Sequence, residues 1–77
     1  MPLVQIKVLE GVFSPEQKRQ MVNKVTDAML SVEGENIRQL TTVIIEEVKT
    51  GDWAVGGTPL RTEDAIALAA GKLTRVA

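Results

Sequence analysis

Aliphatic and polar residues alternate at the start of the chain and form a continuous apolar run near its middle. Between residues 2 and 10 every second position is aliphatic, at Val4, Ile6 and Val8. This period of two predicts a β-strand. Residues 40–48 are rich in β-branched side chains and apolar on both sides at their centre. That pattern is typical of an interior strand of a parallel sheet.

A helix is predicted between these two strands. Ser14 is a favoured N-cap, Pro15 suits the first helical position, and Gln17 occupies the capping-box position. The apolar positions that follow are spaced by three and four residues: Met21, Val22, Val25, Ala28, Met29 and Val32. Gly34 supplies a stop. Strand, helix and strand together predict a right-handed βαβ crossover.

The C-terminal third predicts a hairpin and a second, short helix. Trp53–Val55 is a short apolar strand that Gly56 and Gly57 end in a reversal. Thr62–Asp64 opens a helix that runs from Ala65 to about Lys72. The fold class is therefore α/β, in one domain over residues 1–77. Two strands and one helix leave sheet edges and one sheet face uncovered, so we expect the sheet to be completed by dimerisation.

Composition removes most catalytic machinery. The 77 residues include no Cys and no His, which excludes disulfides, a cysteine nucleophile and a Ser-His-Asp triad, and we expect neither a metal nor a cofactor. Nine basic against ten acidic residues give a net charge of -1, which does not favour nucleic acid. No apolar run approaches the ~20 residues of a membrane span. We expect a cytoplasmic protein that gains stability by association, because so short a chain buries little surface.

Pro2 is the leading candidate for chemistry. Met before Pro is a favourable context for removal of Met1, which leaves a secondary amine at the terminus. An α-amino group has a pKa of about 7.7–8.0 in peptides, and apolar walls or nearby cations lower it. Such an amine can serve as the general base that a His-free chain otherwise lacks. If Met1 stays attached, the Pro2 nitrogen is a tertiary amide without basicity, and Pro2 merely rigidifies the terminus.

Four segments together resemble the 4-oxalocrotonate tautomerase family. They are PLVQIKVLEG at 2–11, SPEQK at 14–18, VIIEE at 43–47 and GDWAVGG at 51–57. The helix start is generic. An N-terminal Pro on a strand, a Leu-Glu-Gly strand exit and an aromatic-x-x-Gly-Gly hairpin are specific in combination. The resemblance covers residues 2–57, and residues 58–77 form a C-terminal extension.

The resemblance implies a tautomerase-like βαβ subunit that pairs into dimers, with the dimers assembled as a hexamer. It also implies an isomerase that works without a cofactor. Pro2 is then the catalytic base and acid for keto-enol tautomerisation of a small unsaturated 2-oxo acid. Trp53 falls where the family places an aromatic residue that lines the proline pocket, although simple packing of its ring is the alternative.

Two departures from the family pattern change the expected substrate site. Val12 and Thr42 stand where the family carries its two substrate-binding arginines. Neither side chain can replace a guanidinium in recognising a carboxylate. Arg38, close to Thr42 in the sequence, and Lys7, on the first strand, are candidate substitutes for binding the substrate. For both cations, a solvated charge or a surface ion pair is the alternative.

The missing arginines leave two other functions open. One is hydration or dehalogenation of an unsaturated acid, with water activated by Glu46, Glu47 or Asp52. The other is a catalytically degenerate subunit of a hetero-oligomer, completed by a paralogue that carries the arginines. A homo-oligomer acting on a small carboxylic acid remains the first expectation.

Overall fold

The computed structural model describes residues 1–72 of the chain, so the last five residues of the predicted C-terminal extension lie outside it. The elements in chain order are β1 (Leu3–Leu9), α1 (Pro15–Glu33), a 3₁₀ helix (Glu35–Leu40), β2 (Thr42–Val48), β3 (Ala54–Val55), β4 (Thr58–Pro59) and α2 (Thr62–Ala69). The predicted βαβ order with a C-terminal hairpin and a short helix is confirmed. The predicted connection after Gly34 is itself helical, and α2 ends at Ala69 instead of Lys72.

Strands β1 and β2 pair with each other in the first sheet. At their beginnings the Thr42 N–H donates to the Pro2 carbonyl at 3.0 Å. At their ends the Glu10 N–H donates to the Val48 carbonyl at 2.8 Å. Because beginnings meet and ends meet, the strands run parallel and keep one register along their length.

Helix α1 begins as its sequence predicts. The Ser14 hydroxyl accepts from the Gln17 N–H at 3.1 Å, and the Gln17 side chain accepts from the Ser14 N–H at 2.9 Å. These two bonds complete a capping box. The helix ends where the Gly34 N–H donates to the Leu30 carbonyl at 2.9 Å.

The inward face of α1 differs from the prediction at its C-terminal end. The spacing predicts Val32 on the apolar face, yet Val32 is 89% exposed, and Leu30 is buried instead. The more protected positions on the helix follow one stripe, at residues 18, 21, 22, 25, 26, 29, 30 and 33. With 3.6 residues per turn, that stripe turns Ala28 and Val32 toward solvent.

One face of the β1–β2 sheet is open. Along β1 the exposed residues are Leu3, Gln5 and Lys7. On β2, for which the sequence predicts two covered faces, Ile44 is 39% exposed. The alternation follows the pleat of a strand, which sends successive side chains to opposite faces. The prediction of an uncovered sheet face is thus confirmed for the isolated chain.

The chain divides into two compact units, each with a small core. The first comprises Met1–Ile6 and Phe13–Glu46, and the second comprises Lys7–Val12 and the described residues from Glu47 to residue 72. Leu30 is buried in the first unit, and Val8 and Leu9 are buried in the second. No other side chain in residues 1–72 is buried. Neither of the helices α1 and α2 is long and apolar enough to cross a membrane.

In the second unit, α2 is attached to the exit of β1. The Thr62 hydroxyl donates to the Glu10 carbonyl at 2.5 Å, and the Thr62 N–H donates to the Thr50 hydroxyl at 3.3 Å. Gly11, with a φ of 80°, lies directly beneath Thr62. A Cβ at position 11 would lie 3.1 Å from the Thr62 methyl carbon. Gly11 therefore serves both the turn and the approach of α2.

We expect Gly11→Ala to lower the free energy of unfolding by about 1–3 kcal/mol, because it strains a left-handed backbone and crowds the Thr62 methyl group. Gly51→Ala is the matched control, since Gly51 has a φ of 97° but no atom within 4 Å of the position that a Cβ would take. Thermal unfolding at a fixed protomer concentration measures both. Adding Thr62→Ser, which removes the methyl group and keeps the hydroxyl, should recover part of the loss; no recovery would contradict the proposed contact.

Candidate functional site

Pro2 is held by the main chain at the head of β1. Its carbonyl accepts the Thr42 N–H at 3.0 Å, so the residue cannot move independently of the sheet. Its side chain is half-buried. Thr42, at one of the positions where the resemblance expects an arginine, is thereby placed beside Pro2, but it contributes a backbone N–H and no cation.

The surroundings of Pro2 in the first unit are apolar and exposed. The Met1 ammonium donates to the Leu40 carbonyl at 3.4 Å. Met1, Leu3 and Leu40 are each at least half exposed. An amine exposed in this way by loss of Met1 has apolar neighbours in the first unit that do not enclose it.

The segment that leads to Leu40 is anchored to α1. The Thr41 hydroxyl lies 2.7 Å from the Glu33 carboxylate and 2.9 Å from the Ile37 carbonyl. These contacts hold the end of the 3₁₀ helix, and with it the backbone that meets Met1 and Pro2. The carbonyl of Leu40 and the N–H of Thr42 flank Thr41 on either side.

Arg38 lies in an ion-pair cluster on the surface of the first unit. Its Nε is 2.6 Å from Glu35 Oε1, and its terminal nitrogen is 3.2 Å from Asp27 Oδ1. The hydrogen bond to Glu35 and then that to Asp27 raise the pKa of the guanidinium above its ordinary value. Two carboxylates bond its Nε and one terminal nitrogen, so the surface ion pair that its sequence allowed is observed.

Lys7 has a different environment. It is exposed on β1, in the second unit. Within residues 1–72 its ammonium makes neither an ion pair nor a hydrogen bond. The charge is therefore available to a ligand.

Trp53 and Val12 both belong to the second unit and are half-buried. The Trp53 carbonyl accepts the Leu60 N–H at 2.8 Å, which closes the hairpin formed by β3 and β4. Val12 follows Gly11 in the turn after β1, where its N–H donates to the Leu9 carbonyl at 3.4 Å. Aromatic and aliphatic surface is thus present at these two positions, and Val12 brings no charge.

The three candidate carboxylates, Glu46, Glu47 and Asp52, differ in their hydrogen bonding and exposure. Glu47 accepts the Gly11 N–H at 3.3 Å, which fixes it to the turn after β1. Glu46 and Asp52 are exposed. Nowhere in residues 1–72 do three acidic side chains lie together so as to hold a metal ion.

An open groove of about 370 Å³ lies in the first unit, away from Pro2. Its lining residues come from the first turns of α1 and from β2: Pro15, Lys18, Arg19, Val22, Asn23 and Ile45. Pro2 is not among them, and neither are Trp53, Arg38 and Lys7, so the groove holds none of the residues predicted for the site.

Sequence reasoning missed the region around residues 60–62. The hairpin bond to Leu60 and the contacts of Thr62 with the β1 exit place Arg61 between them. The sequence separation between Glu10 and Thr62 hides this proximity from any local pattern. The Thr62–Asp64 helix start was the one available signal, since it located the N-terminus of α2 but not its neighbour.

Comparisons with known proteins agree on one family. A family model described as "Tautomerase enzyme" matches residues 2–63. "Probable tautomerase K2" of Dickeya dadantii is 39% identical over 57 residues, which are 74% of this chain and 84% of that protein. A probable tautomerase of Staphylococcus aureus strain Mu50 is 46% identical over 57 residues, or 74% of this chain and 90% of that protein.

A solved structure agrees with these sequences. It comes from work on the 4-oxalocrotonate tautomerase isozymes of Methylibium petroleiphilum, is 36% identical, and matches with a TM-score of 0.68. The match covers 75% of this chain and 90% of the other. Sequence and fold are therefore both similar to those of tautomerases over most of the chain.

We expect Arg38→Met to leave KM for a carboxylate substrate within about twofold of wild type, because its guanidinium is already committed to two carboxylates. Thermal stability should fall, and by less in high salt, since salt screens exposed ion pairs. Steady-state kinetics and thermal unfolding at two salt concentrations measure the two effects. A tenfold rise in KM, on the order of 1.4 kcal/mol, would instead assign Arg38 to substrate.

Proposed function

The chain belongs to the tautomerase family, which confirms its resemblance to 4-oxalocrotonate tautomerases, and on this premise we propose that it catalyses keto-enol tautomerisation of a small unsaturated 2-oxo acid. The observation that carries the proposal is the position of Pro2. It heads β1 and is tied to β2 through its carbonyl, which leaves its nitrogen outside the sheet hydrogen bonds.

Pro2 acts as both base and acid once Met1 is removed. The neutral secondary amine takes the proton of the enol hydroxyl, and the O–H bonding electrons form the carbonyl. The displaced carbon–carbon π electrons then take the proton from the ammonium of Pro2 at carbon. The amine returns to its neutral form, so atoms and charges balance without a co-reactant.

Fixing Pro2 through its carbonyl serves this chemistry. General acid–base catalysis requires the proton-carrying atom within about 2.6–3.2 Å of both the oxygen and the carbon in turn. A terminal residue on a loose tail would pay the entropy of ordering at each turnover. The 3.0 Å bond from Thr42 removes that freedom in advance.

Trp53 and Lys7 are the proposed substrate-binding groups alongside Pro2. The indole supplies apolar surface for the unsaturated chain of the substrate. Lys7 supplies a point charge that attracts the anionic substrate. With Val12 and Thr42 in place of arginines, we expect weaker anion recognition than two guanidinium groups provide.

We further propose that subunits assemble through the open sheet face, as dimers that combine into a hexamer. Three buried side chains among residues 1–72 are a small core, and several large apolar side chains in the same range remain exposed. Assembly would cover Leu3 and Ile44 and would supply the apolar walls that Pro2 lacks within the first unit.

The test of the base is a kinetic comparison of three proteins. Met1-free wild type should ketonise an enolised 2-oxo acid, with kcat/KM falling as pH drops and the amine becomes protonated. A chain that retains Met1 carries the same nitrogen as an amide, and Pro2→Ala replaces the ring with a primary amine. We expect both to lose roughly 10²–10⁴-fold in rate, the usual contribution of general acid–base catalysis.

Intact mass must first establish the N-terminus of each protein. A rate that is the same with and without Met1 would sink the proposal. Product analysis separates the alternatives, since a hydrated or dehalogenated product in place of the ketone would identify a different reaction.

Native mass spectrometry tests the assembly. We expect wild type to form a homo-oligomer and Ile44→Lys to dissociate it, because the charge would be buried at the interface. Val32→Lys is the matched control, being an exposed apolar residue on α1 outside the sheet face. Dissociation by both variants, or by neither, would contradict the assigned interface. A wild type that assembles and works only with a second polypeptide would show a hetero-oligomer instead.

A further inference from the structure

We propose that Arg61 binds the carboxylate of the substrate, in place of the arginine that is missing at Val12. The inference rests on the proposed function, which supplies an acid substrate, and it adds a residue that no sequence pattern indicated. It is based on the position of Arg61 in the second unit and on the absence of any ion pair to its guanidinium within residues 1–72.

The first step is the link from Arg61 to Trp53. The Leu60 N–H donates to the Trp53 carbonyl at 2.8 Å, so Leu60 is fixed to the backbone of the aromatic residue. Arg61 is the next residue along the chain. The Arg61 guanidinium is therefore carried by the residue next to Leu60, whose backbone is bonded to that of Trp53.

The second step is the link from Arg61 to the exit of β1. Thr62, the residue after Arg61, donates its hydroxyl to the Glu10 carbonyl at 2.5 Å. Its methyl carbon would lie 3.1 Å from a Cβ on Gly11. Gly11 is adjacent to Val12, so position 61 is brought beside the turn that holds position 12.

Both neighbours of Arg61 are therefore fixed, one on each side. A third contact, from the Thr62 N–H to the Thr50 hydroxyl at 3.3 Å, adds to the anchoring. The backbone at residue 61 is held while its side chain is exposed. A cation on an anchored backbone loses less freedom on binding an anion than one on a free loop.

The third step is the availability of the charge. Arg19 is paired with Glu16 at 2.6 Å, and Arg38 is paired with Glu35 and Asp27. The Arg61 guanidinium makes no ion pair or hydrogen bond with any group in residues 1–72. Among the arginines of that range it is the one without an ion pair.

Two acidic side chains of the second unit accept hydrogen bonds from the backbone. Asp64 accepts the main-chain N–H of Arg61 at 3.3 Å, and Glu47 accepts that of Gly11 at 3.3 Å. Glu10 and Glu63 are exposed to solvent. An incoming carboxylate thus meets a guanidinium whose planar pair of N–H groups matches its two oxygens, a geometry that Lys7 cannot offer.

Equilibrium binding to Met1-free protein tests this, with Trp53, the only tryptophan, as the fluorescent reporter. The probes are crotonate and crotonamide, which share a shape and differ in charge. We expect Arg61→Met to weaken crotonate binding roughly 10- to 100-fold, the range of a charge-assisted hydrogen bond, and to leave crotonamide unchanged. The crotonate affinity of Arg61→Lys should lie between those of wild type and Arg61→Met. Arg19→Met should bind crotonate as tightly as wild type does.

The outcomes separate this inference from the proposed function. Equal binding of crotonate by wild type and Arg61→Met, equal loss of both probes, or no binding of crotonate to wild type would overturn the role of Arg61. Crotonate binding that depends on Arg61, in a protein that does not ketonise an enol acid, would uphold the carboxylate site and reject the tautomerase proposal. Pro2-dependent turnover with an unchanged KM in Arg61→Met would do the reverse.

Discussion

Parallel pairing of β1 with β2 is the interaction on which the rest of the molecule depends. One register, set by the Thr42–Pro2 bond at the start and the Glu10–Val48 bond at the end, determines both functional regions. At the start it holds the residue that carries the candidate base. At the end it presents the Glu10 carbonyl to Thr62 and so receives α2. A slip of one residue would turn every side chain of a strand to the other face and lose both arrangements.

A small core is the second constraint, and it connects stability with function. Val8, Leu9 and Leu30 are the buried residues of the described part of the chain, while Leu3 and Ile44 remain exposed on the sheet. Covering that face with further subunits would add buried apolar area, worth about 25 cal/mol per Å². The same cover would place apolar walls around a terminal amine. In this account the chain does not form its site before it assembles.

Local signals in the sequence predict the elements well, because each depends on neighbours in the chain. The capping box at Ser14 and Gln17 and the strand alternation at Val4, Ile6 and Val8 are of this kind. The prediction for Val32 is wrong because several apolar stripes can be drawn on one helix, and only packing selects between them. The open sheet face is predictable from the sequence because a single long helix can cover only one face of a two-stranded sheet.

The candidate site is less accessible to sequence. Pro2 and Trp53 carry a pattern, but the pairing of Arg38 with Asp27 and the approach of Thr62 to Gly11 join residues far apart in the chain. Such long-range contacts produce no periodic pattern in the sequence. Charge alone cannot separate a committed arginine from an available one, since the two differ only in their partners.

The central claim is that the Pro2 nitrogen is a free amine adapted to proton transfer. Its direct measurement is a ¹⁵N NMR titration of Met1-free, proline-labelled protein in its assembled state. The account predicts a terminal proline nitrogen whose pKa lies below the 7.7–8.0 or so of an ordinary α-amino group, because apolar walls disfavour the charged form. A pKa at or above that range, or an active protein in which no proline nitrogen titrates, would contradict it.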